Sequence, residues 1–275
     1  MNFEKLYQRI LTEGRIPSIF KKATSEELAE RKVEWKKIKV DEWLEFFRKS
    51  DNVTYIKHLD AYDVDGSVYM TEMDLTVLPV KFNVVDGNFG VSDNMLTSTH
   101  GFPRIVKGGF NCNSNKLTSL AGGPEQVERL YCDSNLLKDF SGFPRGPMKS
   151  LSCTQNLFGS MKGCPIVTDS IHCGFNDNLT SLEGCPRVLR GTFNCMACAL
   201  TSLAGCPVEV MNFDCNCNKD LSTVEGGPKI VHNDFSCEFC KSEYKTFDVD
   251  SIAAYPALTK KHVKEHCQVG GWIYT

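Results

Sequence analysis

No apolar run of about 18 residues or more occurs in the sequence, so no membrane-crossing helix is expected from it. The opening residues Met1-Asn2-Phe3-Glu4-Lys5-Leu6-Tyr7 lack the basic segment and apolar stretch of a secretory leader. The cytosol is therefore the expected compartment. Charge of one sign is lacking too. Against 34 Asp and Glu stand 31 Lys and Arg, a net charge of −3, which offers no general attraction to nucleic acid or anionic lipid. Also missing are a G-x-S-x-G nucleophile elbow, a phosphate-binding loop and a convincing Cys–His arrangement, so no catalytic activity and no cofactor are expected. What is present is 41% hydrophobic residues, ample for a core and unlike a disordered chain.

Proline marks a repeat. Pro103, Pro124, Pro144, Pro165, Pro186, Pro207 and Pro228 each follow a glycine by two positions, at spacings of 21, 20, 21, 21, 21 and 21. A period of roughly 20–29 residues is that of leucine-rich repeats, whose signature is L-x-x-L-x-L-x-x-N/C-x-L with other apolar residues allowed. Phe110-x-Cys112-x-x-Asn115-x-Leu117-x-x-Leu120 fits it, as do Leu130, Cys132, Asn135, Leu137 and Phe140. Further copies begin at Val68, Phe89, Leu151, Ile171, Phe193, Phe213 and Phe235, giving nine copies with starts 20–22 residues apart.

The expected fold is a repeat solenoid: a leucine-rich-repeat-like right-handed coil with one parallel concave sheet. In each copy the apolar–polar–Cys triplet alternates, so Phe110 and Cys112 face inward and Asn111 outward. The asparagine turns the chain out of the strand, its amide satisfying main-chain groups. Gly-x-Pro makes the convex return, with glycine free to take unusual dihedrals and proline holding an extended φ. So short a coil leaves little room for a helix there, and extended, polyproline-like segments with turns are expected. Open ends of such a stack need covering. Residues 1–52 are expected to form a helical N-terminal cap, with a capping box at Thr24-Ser25-Glu26-Glu27 and a second helix starting near Asp41. The solenoid then occupies 53–250, and 251–275 form a C-terminal cap with a short helix from Pro256 to Cys267. Asp63-Val64-Asp65-Gly66 faintly resembles a calcium loop, but no helix precedes it and a turn is the expectation.

The 14 cysteines divide by position. Cys112, Cys132, Cys153, Cys173, Cys195, Cys215 and Cys237 fall on the second inward strand position, as a ladder of packing thiols. Cys164, Cys185 and Cys206 fill the middle of Gly-x-Pro. Cys195-x-x-Cys198 and Cys237-x-x-Cys240 have zinc-ligand spacing, yet Cys198 and Cys240 land where the repeat itself permits cysteine, which favours packing over metal. Disulfides are disfavoured in a reducing cytosol. His262 and His266, one helical turn apart, lack a third ligand and are read as an exposed face.

The run Leu179-Thr-Ser-Leu-Glu-Gly-Cys-Pro186 with Gly191-Thr-Phe-Asn-Cys195 is similar to the short leucine-rich-like repeats of proteins encoded by bacteriophages and large viruses. Val64-Asp-Gly-Ser-Val68 and Leu75-Thr-Val-Leu-Pro-Val-Lys-Phe82 resemble the lead-in of those proteins, so that the likeness covers about residues 60–250. It implies a non-enzymatic, protein-binding chain, directed at a host factor or host defence protein in the bacterial cytoplasm. The partner is expected on the outward strand positions: Arg129, Tyr131, Asp133, His172, Asn194, Met196, Asp214, Asn216, Asp234 and Glu238. Tyr131, flanked by Arg129 and Asp133, is the best anchor there. Acidic residues toward the C-terminal strands suit a partner with a basic patch, and the absence of lysine from these positions argues against a nucleic-acid groove. Two other readings stay open: a structural or virion-associated component, and a metal-binding or redox-active protein using the Cys-x-x-Cys pairs.

Overall fold

In each copy, alternation around the apolar–polar–Cys triplet makes a short strand with one buried face. The computed structural model describes residues 40–221 and 224–237. By internal contacts the chain divides into residues 1–45 and 46–275, and the following concerns the second unit. Its strands in chain order are β1 (Val53–Ile56), β2 (Ala61–Val64), β3 (Val68–Tyr69), β4 (Phe82–Val85), β5 (Phe89–Gly90), β6 (Ile105–Val106), β7 (Gly109–Asn111), β8 (Arg129–Tyr131), β9 (Met148–Ser152), β10 (Val167–His172), β11 (Thr192–Asn194), β12 (Glu209–Val210), β13 (Asn212–Asp214), β14 (Ile230–Val231) and β15 (Phe235–Ser236).

Stacking the copies produces a nine-stranded sheet of order β15-β13-β11-β10-β9-β8-β7-β5-β3, parallel at every junction. The chain is thus a parallel β-solenoid, with about eight turns between the first and last of these strands. Register brings like to like: Phe89 pairs with Phe110, Phe110 with Leu130, and Phe193 with Phe213. All of these are buried. The Phe193, Phe213 and Phe235 rings stack at centroid separations of 5.5 and 5.4 Å. The neighbouring cysteines, from Cys112 to Cys237, are fully buried beside them. Large and small side chains therefore fill each layer in the same order.

A second ladder runs where the return was expected to be merely extended. Beyond the return, apolar residues such as Val84-Val85, Ile105-Val106 and Ile230-Val231 pair with neighbouring coils. Strands β2, β4 and β6 form a parallel ladder, as do β12 and β14, with bridges from Ile105 to Gln126 and from Val188 to Glu209. β-Branched residues suit such half-buried strands. Beyond the main strand, the coil is held by a hydroxyl or carboxylate turn. Ser98, Ser119, Asp139, Ser160, Ser181 and Ser202 each accept the N–H two residues on.

The first coil is closed differently from expectation. β1 and β2 form an antiparallel hairpin, so Asp63 lies inside a strand rather than in a turn. Its Oδ1 accepts from Asn83 Nδ2 at 2.8 Å and from the Val84 N–H at 3.1 Å. A helix covers residues 40–48, and the Phe47 ring near its end meets Tyr62 and Phe82 edge-on at 5.2 and 5.7 Å. The expected capping box at Thr24-Ser25-Glu26-Glu27 and the helix from Pro256 to Cys267 lie outside the described residues. Among the described residues no helix is long and apolar enough to cross a membrane.

The turn out of each main strand rests on two adjacent residues. Asp93, Ser114, Ser134, Gln155, Phe175, Ala197 and Cys217 all adopt left-handed backbone, with φ between 51 and 61°. This conformation is unfavourable for residues with a Cβ, and beside it the carbonyl of the inward cysteine position is left without a main-chain partner in the ladder. The following asparagine bonds to it. Asn135 Nδ2 donates to the carbonyls of Cys112, Cys132 and Asp133 at 3.0, 3.2 and 3.1 Å, while its Oδ1 accepts from the Leu117 N–H at 3.0 Å. Asn94, Asn115, Asn156, Asn176 and Asn218 repeat the pattern, and all are buried. On the far side of the coil the glycine of every Gly-x-Pro has positive φ. At Gly142 (φ 79°) a Cβ would also lie 2.1 Å from the Ala121 nitrogen, so that position accepts glycine alone.

Removal of one amide strands several buried main-chain groups. Asn115→Ala and Asn135→Ala are each expected to lower stability by about 1–3 kcal/mol in urea titrations, at unchanged m-value. The exposed neighbour Leu136→Ala should change it by less than about 0.5 kcal/mol. Neutral results at both asparagines would contradict the accounting above.

Candidate partner-binding face

The face of the nine-stranded sheet that points away from the core carries three rows of side chains. Register places Tyr69, Gly90, Asn111, Tyr131, Ser152, His172, Asn194, Asp214 and Ser236 in one line across it. Beside that line run Arg129 with Asp234 on one side, and Asp133, Met196 and Asn216 on the other. The inward–outward alternation therefore puts nine of the ten expected site residues on this face. Glu238 lies outside the described residues.

Many of these groups are bonded to each other across the coils. Asp133 Oδ1 accepts from Ser152 Oγ, the Thr154 N–H and Thr154 Oγ1 at 2.6, 2.7 and 2.9 Å. Asn194 Nδ2 donates to Asp214 Oδ2 at 2.9 Å, and its Oδ1 accepts the Met196 N–H. Asp214 Oδ1 in turn accepts the Asn216 N–H, and Asn216 Oδ1 accepts from Ser236 Oγ. Burial raises the Asp214 carboxyl above its ordinary value, opposed by the Asn216 N–H and by the charge of His172. Such groups are held in place by these hydrogen bonds between coils, so they present fixed polarity rather than mobile side chains.

Two clusters result, separated by β9 with Ser150, Ser152 and Thr154. The first is centred on Tyr131, which is 36% exposed. Among the described residues its hydroxyl has no hydrogen-bond partner. Arg129 is ion-paired with Glu128 at 3.0 Å, and Glu128 is shared with Lys149. The Lys149 contact, foremost, holds the Glu128 carboxyl below its usual range. Lys149 was not foreseen beside Arg129: β9 starts at Met148, earlier than the repeat pattern indicates, and Lys149 is exposed near its start. Also missed was Tyr69, 50% exposed, whose ring covers Gly90 so closely that a Cβ there would sit 2.7 Å from Cδ1. Asn88 joins the pair, donating to Tyr69 Oη and accepting the Gly109 N–H. Outward parity of Tyr69 in the first copy was the available signal. The second cluster joins His172, Asn194, Met196, Asp214 and Asn216, with the Met196 chain lying over Gly174.

The ladder cysteines among the described residues lie behind this face, in the core. Ladder thiols donate to carbonyls of the next strand, Cys132 to Ser152 at 3.3 Å and Cys173 to Asn194 at 3.4 Å. Cys198 substitutes for asparagine, its Sγ reaching the Cys173 and Met196 carbonyls at 3.5 Å. Among the described residues no three His, Cys, Asp or Glu side chains converge as metal ligands. Cys240, His262 and His266 lie outside them. One expectation is corrected: Cys217 is disulfide-bonded, to a partner outside the described residues. Its position explains the difference, because the left-handed residue before Asn218 points out of the core and is half-buried.

Burial pushes the thiols of Cys112, Cys132, Cys153, Cys173 and Cys195 far up, and that of Cys164 to about 12. The folded chain therefore keeps protons that the unfolded chain releases near pH 9. The raised folded values make this stability complete below that pH and progressively lost above it. The slope approaches about 1.4 kcal/mol per pH unit for each such thiol. Chemical unfolding at increasing pH should show stability falling steeply above about pH 9, and Cys→Ala at Cys153 should flatten the fall. An unchanged slope would mean the ladder is not buried.

Comparison with known protein families, curated proteins and solved structures finds no match to this chain, so the face is read from its own geometry alone.

Proposed function

We propose that this chain is a leucine-rich-repeat-like, non-enzymatic protein-binding module with helical caps, phage-encoded and acting on a host protein in the bacterial cytoplasm. The observation that carries the reading is Tyr131: an aromatic side chain with an unused hydroxyl, set between the Arg129–Glu128–Lys149 group and Asp133 on a rigid sheet face. Aromatic and arginine side chains held in place dominate binding energetics, since little entropy is lost when they are covered. The bonded rows on either side support the same reading, as they offer a partner polarity that needs no reordering. Asp214 and the exposed Asp234 give the C-terminal cluster an acidic character that suits a basic patch on the partner.

The phage and host assignments rest on the sequence resemblance, and the binding assignment rests on the face. Affinity capture from bacterial lysate should retain a partner with the wild-type chain. It should lose that partner with the Tyr131→Ala, Asp214→Lys double variant, whose circular dichroism should be unchanged. With the purified partner, Tyr131→Ala alone should cost about 2 kcal/mol, roughly 30-fold in Kd. Equal capture by the folded double variant would exclude this face.

A further inference from the structure

Away from the sheet face, the second ladder parts between Gln126 and Met148 and again between Val167 and Val188, where the groove lies. Met148 pairs with Val167 and Val188 pairs with Glu209, yet no bridge joins Val167 to Val188. An open groove of about 540 Å³ lies at the gap, within the size range of ligand-binding clefts. Ile166 and Val188 line it while remaining 60% and 52% exposed. Arg187 and Arg190 line it as well, both exposed. Arg145 holds the position after proline one coil before Ile166, and is exposed too.

Two guanidinium groups without carboxylate partners mark this groove. Along the second ladder Lys81 is paired with Asp60, Arg104 with Glu125 and Lys107 with Asp86, whereas Lys229, after Pro228, is exposed without such a pair among the described residues. Among the described residues Arg145, Arg187 and Arg190 have no such partner, although the chain as a whole is acidic. The main chain adds a donor. Arg187 O and Leu189 N bond toward Glu209, so alternation turns the Val188 N–H toward the Val167 side. That N–H has no acceptor among the described residues.

From this geometry we infer that the groove binds an extended acidic peptide segment, with an apolar side chain seated between Ile166 and Val188 and carboxylates on Arg187 and Arg190. The pairing satisfies every feature of the groove at once. Guanidinium groups bind carboxylates in a two-pronged fashion, an apolar side chain removes Ile166 and Val188 from water, and a peptide carbonyl meets the Val188 N–H. A simple anion leaves the apolar lining uncovered. A single strand of nucleic acid needs aromatic stacking surfaces, and none lines this groove.

Fluorescence anisotropy with the full chain tests the inference. The probe is a labelled decapeptide with one central leucine flanked by aspartate and glutamate, compared with versions carrying serine at the centre or lysine at the flanks. The leucine–acidic peptide should bind, and each altered peptide should bind about tenfold more weakly or worse. Arg187→Glu with Arg190→Glu should weaken the leucine–acidic peptide by a similar factor, as should Val188→Asp. All three positions are exposed, and circular dichroism should confirm the fold. Tyr131→Ala should leave this binding unchanged, which separates the groove from the sheet face. No binding at about 1 mM peptide, or equal binding by the double arginine variant, would overturn the inference. So would displacement of the peptide by inorganic phosphate or dodecanoate as readily as by unlabelled peptide.

Discussion

Six buried asparagine amides, at positions 94, 115, 135, 156, 176 and 218, hold the main chain where it leaves the sheet. Every coil there passes through a left-handed residue, beside which a buried carbonyl is left without a main-chain partner. A buried carbonyl without a donor is costly, and each asparagine supplies donors to its own coil and to the preceding one. The bond between coils is therefore not only hydrophobic. It has a fixed register, because an amide displaced by one residue would find no carbonyl. The small thiols beside the amides leave room for this approach, and the glycines opposite allow the coils to close at the same pitch.

Fixed register explains the character of the outward face. Asp133, Asn194, Asp214 and Asn216 sit opposite the same positions of neighbouring coils, and polar side chains at the stacking distance bond to each other. The face is thereby ordered by the chain's own bonds. Tyr131 and the arginines around Ile166 stand out because they are not used in this way. What sets these side chains apart is less their type than their being left over after the coils have bonded to one another.

Much of this was legible in the sequence, for reasons that can be traced to residues. Gly-x-Pro and the Cys-x-x-Asn spacing mark two opposite corners of each coil, and both occur where the backbone requires them. Inward and outward positions followed from parity, which placed Tyr131 and Asp214 correctly. The second ladder was not legible, since Ile105-Val106 or Ile230-Val231 is too short to show alternation. The left-handed position carries Asp, Ser, Gln, Phe, Ala and Cys in turn, so composition gives no hint of it. Contacts such as Asp133 with Thr154, or Glu128 with Lys149, join residues about one period apart. Their existence depends on stacking that no local pattern states. The Cys217 disulfide escaped for a related reason: its outward position depends on a backbone angle, not on the repeat frame.

Cys198 has a consequence for how the array would respond to being pulled apart. Where other coils have an amide with two donors and an acceptor, this one has a single weak thiol donor, and Leu179 N–H turns to its own coil instead, bonding to Asn176 O. The unbridged pair Val167 and Val188 lies in the same neighbourhood. Tension applied along the axis of the stack would therefore not be shared evenly by the rungs. It would concentrate at this seam, separating the coils before it from those after it while each group remained intact.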